Sequence, residues 1–190
     1  MGNSFNYPVR IEIDYPEKLD KLSSIFRIFY AIPVLIVLSL LAEYLFPAVG
    51  LMILFRQKYP KWWFDWNLAY YRFSTRVSAY LLLLRDEYPS TDEEQAVHIE
   101  MDYPDAKNDL KRGMPLVKWF LAIPHYLILC FLYIAVTICS IAAWFIIIFT
   151  SKYPKGMFDF VVGVMRWSLR VNGYAFLLIT DKYPPFSTLP

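Results

Sequence analysis

Glycine and histidine are scarce in this chain, with six and two among 190 residues. It has no Gly-x-Ser-x-Gly elbow, phosphate loop or Gly-x-Gly-x-x-Gly fingerprint, which removes the glycine-built sites for acyl transfer and nucleotide binding. Cysteine is limited to Cys130 and Cys139, so a disulfide-stapled secreted domain is excluded, and no metal-ligand spacing exists. The two thiols fall on opposite sides of any one helix and read as small hydrophobes rather than a redox pair. Charge is low as well, at 19% of residues against about 25% for a soluble domain. Nineteen Lys and Arg against seventeen Asp and Glu leave a net charge of +2, which makes no case for nucleic acid. Met1 to Asn6 have neither the basic start nor the apolar core of a signal peptide.

Apolar and aromatic residues take up the difference. The chain is 57% hydrophobic with a mean hydropathy of +0.35, and 19% aromatic, a proportion suited to a belt at a membrane–water interface. The chain also repeats itself. Val9-Arg-Ile-Glu-Ile-Asp-Tyr-Pro16 returns as Val97-His-Ile-Glu-Met-Asp-Tyr-Pro104 at an offset of 88, and Ala31-Ile-Pro33 as Ala122-Ile-Pro124 at 91. Lys58-Tyr-Pro-Lys61 returns as Lys152-Tyr-Pro-Lys155 at 94, and Asp86-Glu-Tyr-Pro89 as Asp181-Lys-Tyr-Pro184 at 95. Matches in one order with slowly growing offsets imply two copies: residues 1–90 and 97–190, joined by an acidic linker over 91–96.

Each copy reads in the same order. The alternation of Val9, Ile11 and Ile13 with Arg10, Glu12 and Asp14 predicts a half-buried strand. A charged helical stretch from Glu17 to Arg27 feeds a long apolar segment, and a second helix starts near Lys61. The runs Tyr80 to Leu84 and Tyr174 to Thr180 read as closing strands.

No Lys or Arg falls between Ile28 and Phe55 or between Trp119 and Ser151, and Glu43 is the only acid in either stretch. These segments of 28 and 33 residues exceed one crossing of about 20 residues but not two. If each folds back as a hairpin, every cation shares one side of the membrane, as the positive-inside rule prefers. The turns then lie near Pro47 and near Thr137 to Ser140, whether the hairpins span fully or are re-entrant. The basic residues of Leu22 to Arg27 would snorkel to the interface. The expected fold is therefore a membrane α+β protein: two hydrophobic helical hairpins, two amphipathic interfacial helices and a small sheet of about four strands on the cytoplasmic side.

The helix after each Tyr-Pro-Lys carries the most informative polar pattern. Asp65, Arg72 and Arg76 fall within about 40° of one another at 100° per residue, and Asp159, Arg166 and Arg170 repeat them. In one reading Arg72, Arg76, Arg166 and Arg170, with Lys58 and Lys152, hold the phosphate or carboxylate groups of lipids. In the other, which duplication of both acid and base favours, the arginines pair internally with Asp65, Asp159 or the strand acids Glu12, Asp14, Glu100 and Asp102. His125 reads as a hydrogen-bonded core or interface histidine, and Glu43 as the mark of a water-exposed turn.

Copy two carries Ala122-Ile-Pro-His125, Tyr153-Pro-Lys-Gly-Met-Phe-Asp-Phe160 and Arg166-Trp-Ser-Leu-Arg-Val-Asn-Gly-Tyr174. In these residues the chain resembles the membrane proteins known as the domain of unknown function 4389 family. Copy one departs from that pattern at Val34, Trp62 and Phe73. The resemblance implies a bacterial cytoplasmic-membrane setting and no particular activity or cofactor. With no nucleophile-plus-base arrangement in view, the expected role is an accessory or scaffolding subunit that binds lipid and docks on protein partners in a larger membrane complex. A small transporter or channel, with its path at the repeat interface or in a homo-oligomer, is the alternative, and a lipid-modifying enzyme a third.

Overall fold

The computed structural model describes residues 7–41 and 46–190, with the backbone alone for 46–48. Glu43 and Met1 to Asn6 lie outside the described residues. Among the described residues there are two strands, β1 (Val9–Ile13) and β2 (Val97–Met101), and six helices. The helices are α1 (Lys21–Leu41), α2 (Phe46–Arg56), α3 (Lys61–Leu81), α4 (Met114–Leu121), α5 (Ile123–Thr150) and α6 (Lys155–Ala175).

The strands pair antiparallel with Ile11 opposite Ile99 at the centre. Alternation buries Val9, Ile11, Ile13, Val97, Ile99 and Met101 and leaves the other face to charge, where Arg10 reaches Glu100 at 3.3 Å and Asp102 at 2.9 Å. The buried face of β1 packs on α6, and that of β2 on α3. Each strand thus covers a helix from the opposite half of the chain. The same exchange recurs higher up, where the Tyr15 hydroxyl donates to the Tyr153 carbonyl and the Tyr103 hydroxyl donates to the Tyr59 carbonyl.

Among the described residues the sheet has two strands, not about four. Tyr80 to Leu84 and Tyr174 to Thr180 are helix ends that turn back on themselves. Leu83 and Leu178, 95 residues apart, both take left-handed φ values, of 64° and 57°. The Leu84 and Ile179 amides then return to the carbonyls of Ala79 and Gly173 at 2.9 and 3.0 Å, satisfying the open C-terminal turn. Leu84 and Leu178 are fully buried. The runs are apolar because they enter the core, and a short apolar run does not by its period distinguish a strand from a buried helix stop.

The hairpins also differ from expectation. α5 runs unbroken through Thr137 to Ser140, because no Gly or Pro lies between Pro124 and Pro154. Thr137 bonds back to the Tyr133 carbonyl at 2.9 Å, so its hydroxyl is satisfied inside the helix rather than marking a turn. The break in this segment falls earlier, at Ala122, between α4 and α5. In the first segment α1 and α2 flank residues 42–45, and Pro47 falls in the opening turn of α2. Among the described residues α1 packs on α3 and α5, and α2 packs on α4, rather than α1 on α2.

α1 and α5 are long and apolar enough to cross a membrane. At about 1.5 Å per residue α5 is about 42 Å long. One stripe of it, His125, Leu129, Val136, Ala143 and Ile147, is buried against the protein along the full length. Its other side exposes Leu127, Phe131, Ile134, Ile138, Phe145 and Phe149. In its first half α5 lies on α6, with the Tyr133 hydroxyl donating to Ser168 at 2.6 Å. Its last turns lie antiparallel on the start of α1, where Trp144 bonds the Ser24 carbonyl at 3.0 Å and Lys21 the Phe149 carbonyl at 3.3 Å.

Candidate functional site

The arginine stripe is built on α3 and α6, two helices of 21 residues that each follow an extended proline, Pro60 or Pro154. A proline before the first turn fixes the chain direction and costs no helical hydrogen bond. Asp65 and Asp159 pair with the lysines one turn before them, Lys61 at 2.9 Å and Lys155 at 2.6 Å, not with the arginines. Lys58 and Lys152 are exposed at the loops entering these helices.

The four arginines reach backbone carbonyls. Arg72 donates through Nε to Ile99 at 3.2 Å, and Arg76 through Nη1 to Ser90 at 2.9 Å. Arg166 donates to Thr188 at 2.9 Å and Arg170 to Ser187 at 3.5 Å. Arg72 and Arg76 therefore tie α3 to β2 and to the chain at Ser90, and Arg166 and Arg170 tie α6 to the C-terminal segment. Burial lowers the pKa of Arg76 and Arg170, and a like charge one turn away lowers it further, Arg72 in one case and Arg166 in the other. Glu87, Asp92 and Glu94 oppose this at Arg76, and Glu12 and Asp159 oppose it at Arg166. A cavity of about 430 Å³ opens beside Arg72 and Arg76, with Asp92, Glu93, Glu94 and Glu100 on its other walls.

Two cations outside the stripe are buried more deeply. Arg27, expected to snorkel, is 2% exposed. It pairs with Asp86, donates to the Tyr80 carbonyl at 2.7 Å and lies 4.5 Å over the Tyr80 ring. Lys118, 91 positions later, pairs with Asp181 at 2.8 Å, donates to the Thr180 carbonyl at 2.8 Å and lies 5.1 Å over the Tyr174 ring. The clue in the sequence was the joint return of Arg27, Tyr80 and Asp86 as Lys118, Tyr174 and Asp181. In both places a buried cation fastens one helix to the end of another, α1 to α3 through Arg27 and α4 to α6 through Lys118.

His125 is fully buried, and its Nδ1 accepts from the Trp167 indole at 3.0 Å. The neutral ring then carries its hydrogen on Nε2, which has no partner. Phe186 stacks on the imidazole with centroids 4.0 Å apart, so this is a packed aromatic cluster. Among the described residues no group of His, Cys, Asp and Glu could hold a metal ion.

Residues 114–188 match the family described as Domain of unknown function (DUF4389). The DUF4389 match takes in α4, α5 and α6, Lys118, the His125 cluster, and the Arg166 and Arg170 anchors as far as Thr188. No curated protein and no solved structure matches the chain.

Proposed function

We propose that this chain is an internally duplicated membrane protein that works as an accessory or scaffolding subunit, seated in the cytoplasmic membrane of a bacterium and contacting lipid. The observation that carries the reading is the apolar face that α1 and α5 leave uncovered. Phe29, Ile32, Ile36 and Leu40 on α1 extend the exposed surface described for α5. Large exposed apolar surfaces mark membrane or protein contacts, and the exposed side chains of α1 and α5 supply one. α5 is apolar all round because one side meets protein and the other meets lipid.

Polar elements adjoin both ends of α5. Lys118 and Asp181 stand beside its start, and Lys21 and Lys152 beside its finish. α6, which carries Asp159, Arg166 and Arg170, runs back beside α5 from its finish toward its start, and this supports placing every cation in one compartment, with α5 lying in the near leaflet. The duplication is supported by the exchanged strand packing, the matched Tyr15 and Tyr103 bonds, and the matched left-handed residues Gln57 and Ser151, 94 apart. The stripe arginines brace the fold through one donor each and keep others for lipid phosphate, while Lys58 and Lys152 offer exposed charge.

Extraction and native purification test the reading. The untagged chain should stay with membranes through alkaline carbonate washing and leave them, in mild detergent, together with a larger protein partner. A chain that washes off, or an isolated homo-oligomer that conducts a solute in liposomes, would contradict it.

A further inference from the structure

The two halves differ most where they should match. In the second half His125, Trp167 and Phe186 stack into a filled cluster. The residues at the same offsets in the first half are Val34, Phe73 and Thr91, each smaller. They leave an apolar groove of about 440 Å³, lined by Pro33, Val34, Val37, Phe73 and Pro89. The groove opens along α1, on the helix that carries the exposed apolar face.

This groove adjoins the polar cavity of Arg72 and Arg76, for Thr91 and Glu93 line both. A greasy channel meeting a charged chamber has the outline of one phospholipid. The chamber also specifies the headgroup. Arg72 and Arg76 commit one donor each to backbone carbonyls, and the Arg76 Nε is buried without a partner. Their forks suit a phosphate. Glu100 is paired with Arg10, but Asp92, Glu93 and Glu94 still outnumber the two arginines, so a headgroup carrying only negative charge meets repulsion. A phosphate joined to a primary ammonium satisfies both sets, because the ammonium offers three donors to the carboxylates. A quaternary ammonium offers none.

We infer that the first half binds one phospholipid of the phosphatidylethanolamine class, with its phosphate on Arg72 and Arg76, its ammonium on the acidic rim and an acyl chain in the Val34–Phe73 groove. The matching position in the second half is closed, its groove filled by its own aromatic rings. The inference rests on the membrane reading above and adds a single selective site to it.

The test reconstitutes the full chain in bilayers of equimolar phosphatidylethanolamine, phosphatidylcholine and phosphatidylglycerol, then counts retained lipids by native mass spectrometry. One phosphatidylethanolamine per chain should be retained about tenfold over either competitor, equivalent to about 1.4 kcal/mol. Filling the groove with Val34→His, Phe73→Trp and Thr91→Phe should abolish that retention while the chain still melts cooperatively. Arg72→Gln should keep a lipid but lose the preference among headgroups. No preference in the parent chain, or a preference unchanged in the filled variant, overturns the site. Should the filled variant fail to fold, Arg72→Gln decides, and an unaltered preference there overturns it. Loss of the site with the chain still held in membranes leaves the broader reading standing, whereas a chain that washes out of membranes removes both.

Discussion

Lys118 stands 2.8 Å from Asp181 with 1% of its side chain exposed, at the point where α4, α6 and the C-terminal segment meet. Burial lowers the Lys118 pKa, and the hydrogen bond and charge of Asp181 hold it up. Taking the Asp181 charge away leaves a buried ammonium with the Thr180 carbonyl and the Tyr174 ring but no counter-charge. Asp181→Asn should therefore cost about 3–5 kcal/mol of stability, and replacing both partners by apolar residues, Lys118→Met with Asp181→Leu, should recover most of it. Chemical denaturation in detergent measures both, and an Asp181→Asn variant as stable as the parent would remove Lys118 from its fastening role.

Gly173 is where β1 comes closest to α6. A Cβ there would lie 2.7 Å from Val9 Cγ2, on a β-branched side chain with little freedom to move. Its counterpart 94 positions earlier is Ala79, fully buried, so the two strand–helix contacts are spaced differently. Gly173→Ala should destabilise the protein by about 1–3 kcal/mol through overpacking, read as a lowered thermal midpoint. Ala79→Gly should cost about 1 kcal/mol by helix propensity.

Four tyrosines make the fold sensitive to alkali. Burial raises the pKa of Tyr7, Tyr59 and Tyr71 above the ordinary value of 10.0, and pushes Tyr153 up to about 12. A folded-state pKa above the unfolded one means that the folded chain holds its proton longer. That stability is complete below pH 10 and is lost as pH climbs through the folded values. The unfolding free energy should thus hold level up to about pH 10 and fall steeply toward pH 12. Tyrosinate absorbance should rise together with loss of helix, and tyrosines that ionise early with helix intact would contradict their burial.

Much of this was legible in the chain. The strand pair, the starts of α3 and α6 behind Tyr-Pro-Lys, and the two apolar helices follow from alternation, proline and charge. The closing strands were misread because Leu83 and Leu178 adopt left-handed backbone, which a leucine does not advertise. The turn at Thr137 to Ser140 was misread because hydroxyls that bond back within a helix look from sequence like a polar break. Asp65 and Asp159 share a stripe with the arginines by angle, but Lys61 and Lys155 sit one turn away and pair first. Arg27 reads as a snorkelling cation, and Lys118 has no reading of its own, because a cation at the edge of an apolar run looks like an interfacial anchor until its acid, some 60 residues on, is brought to it.

The central claim is that the polar elements at both ends of α5 share one side of the membrane. Single cysteines at Lys111 and Lys152, exposed residues near the start and the end of α5, test it most directly once Cys130 and Cys139 are replaced by alanine. In sealed vesicles of one orientation, a membrane-impermeant maleimide should label both positions from the same side, and neither from the other. Labelling of Lys111→Cys and Lys152→Cys from opposite sides would make α5 a full crossing and contradict the account.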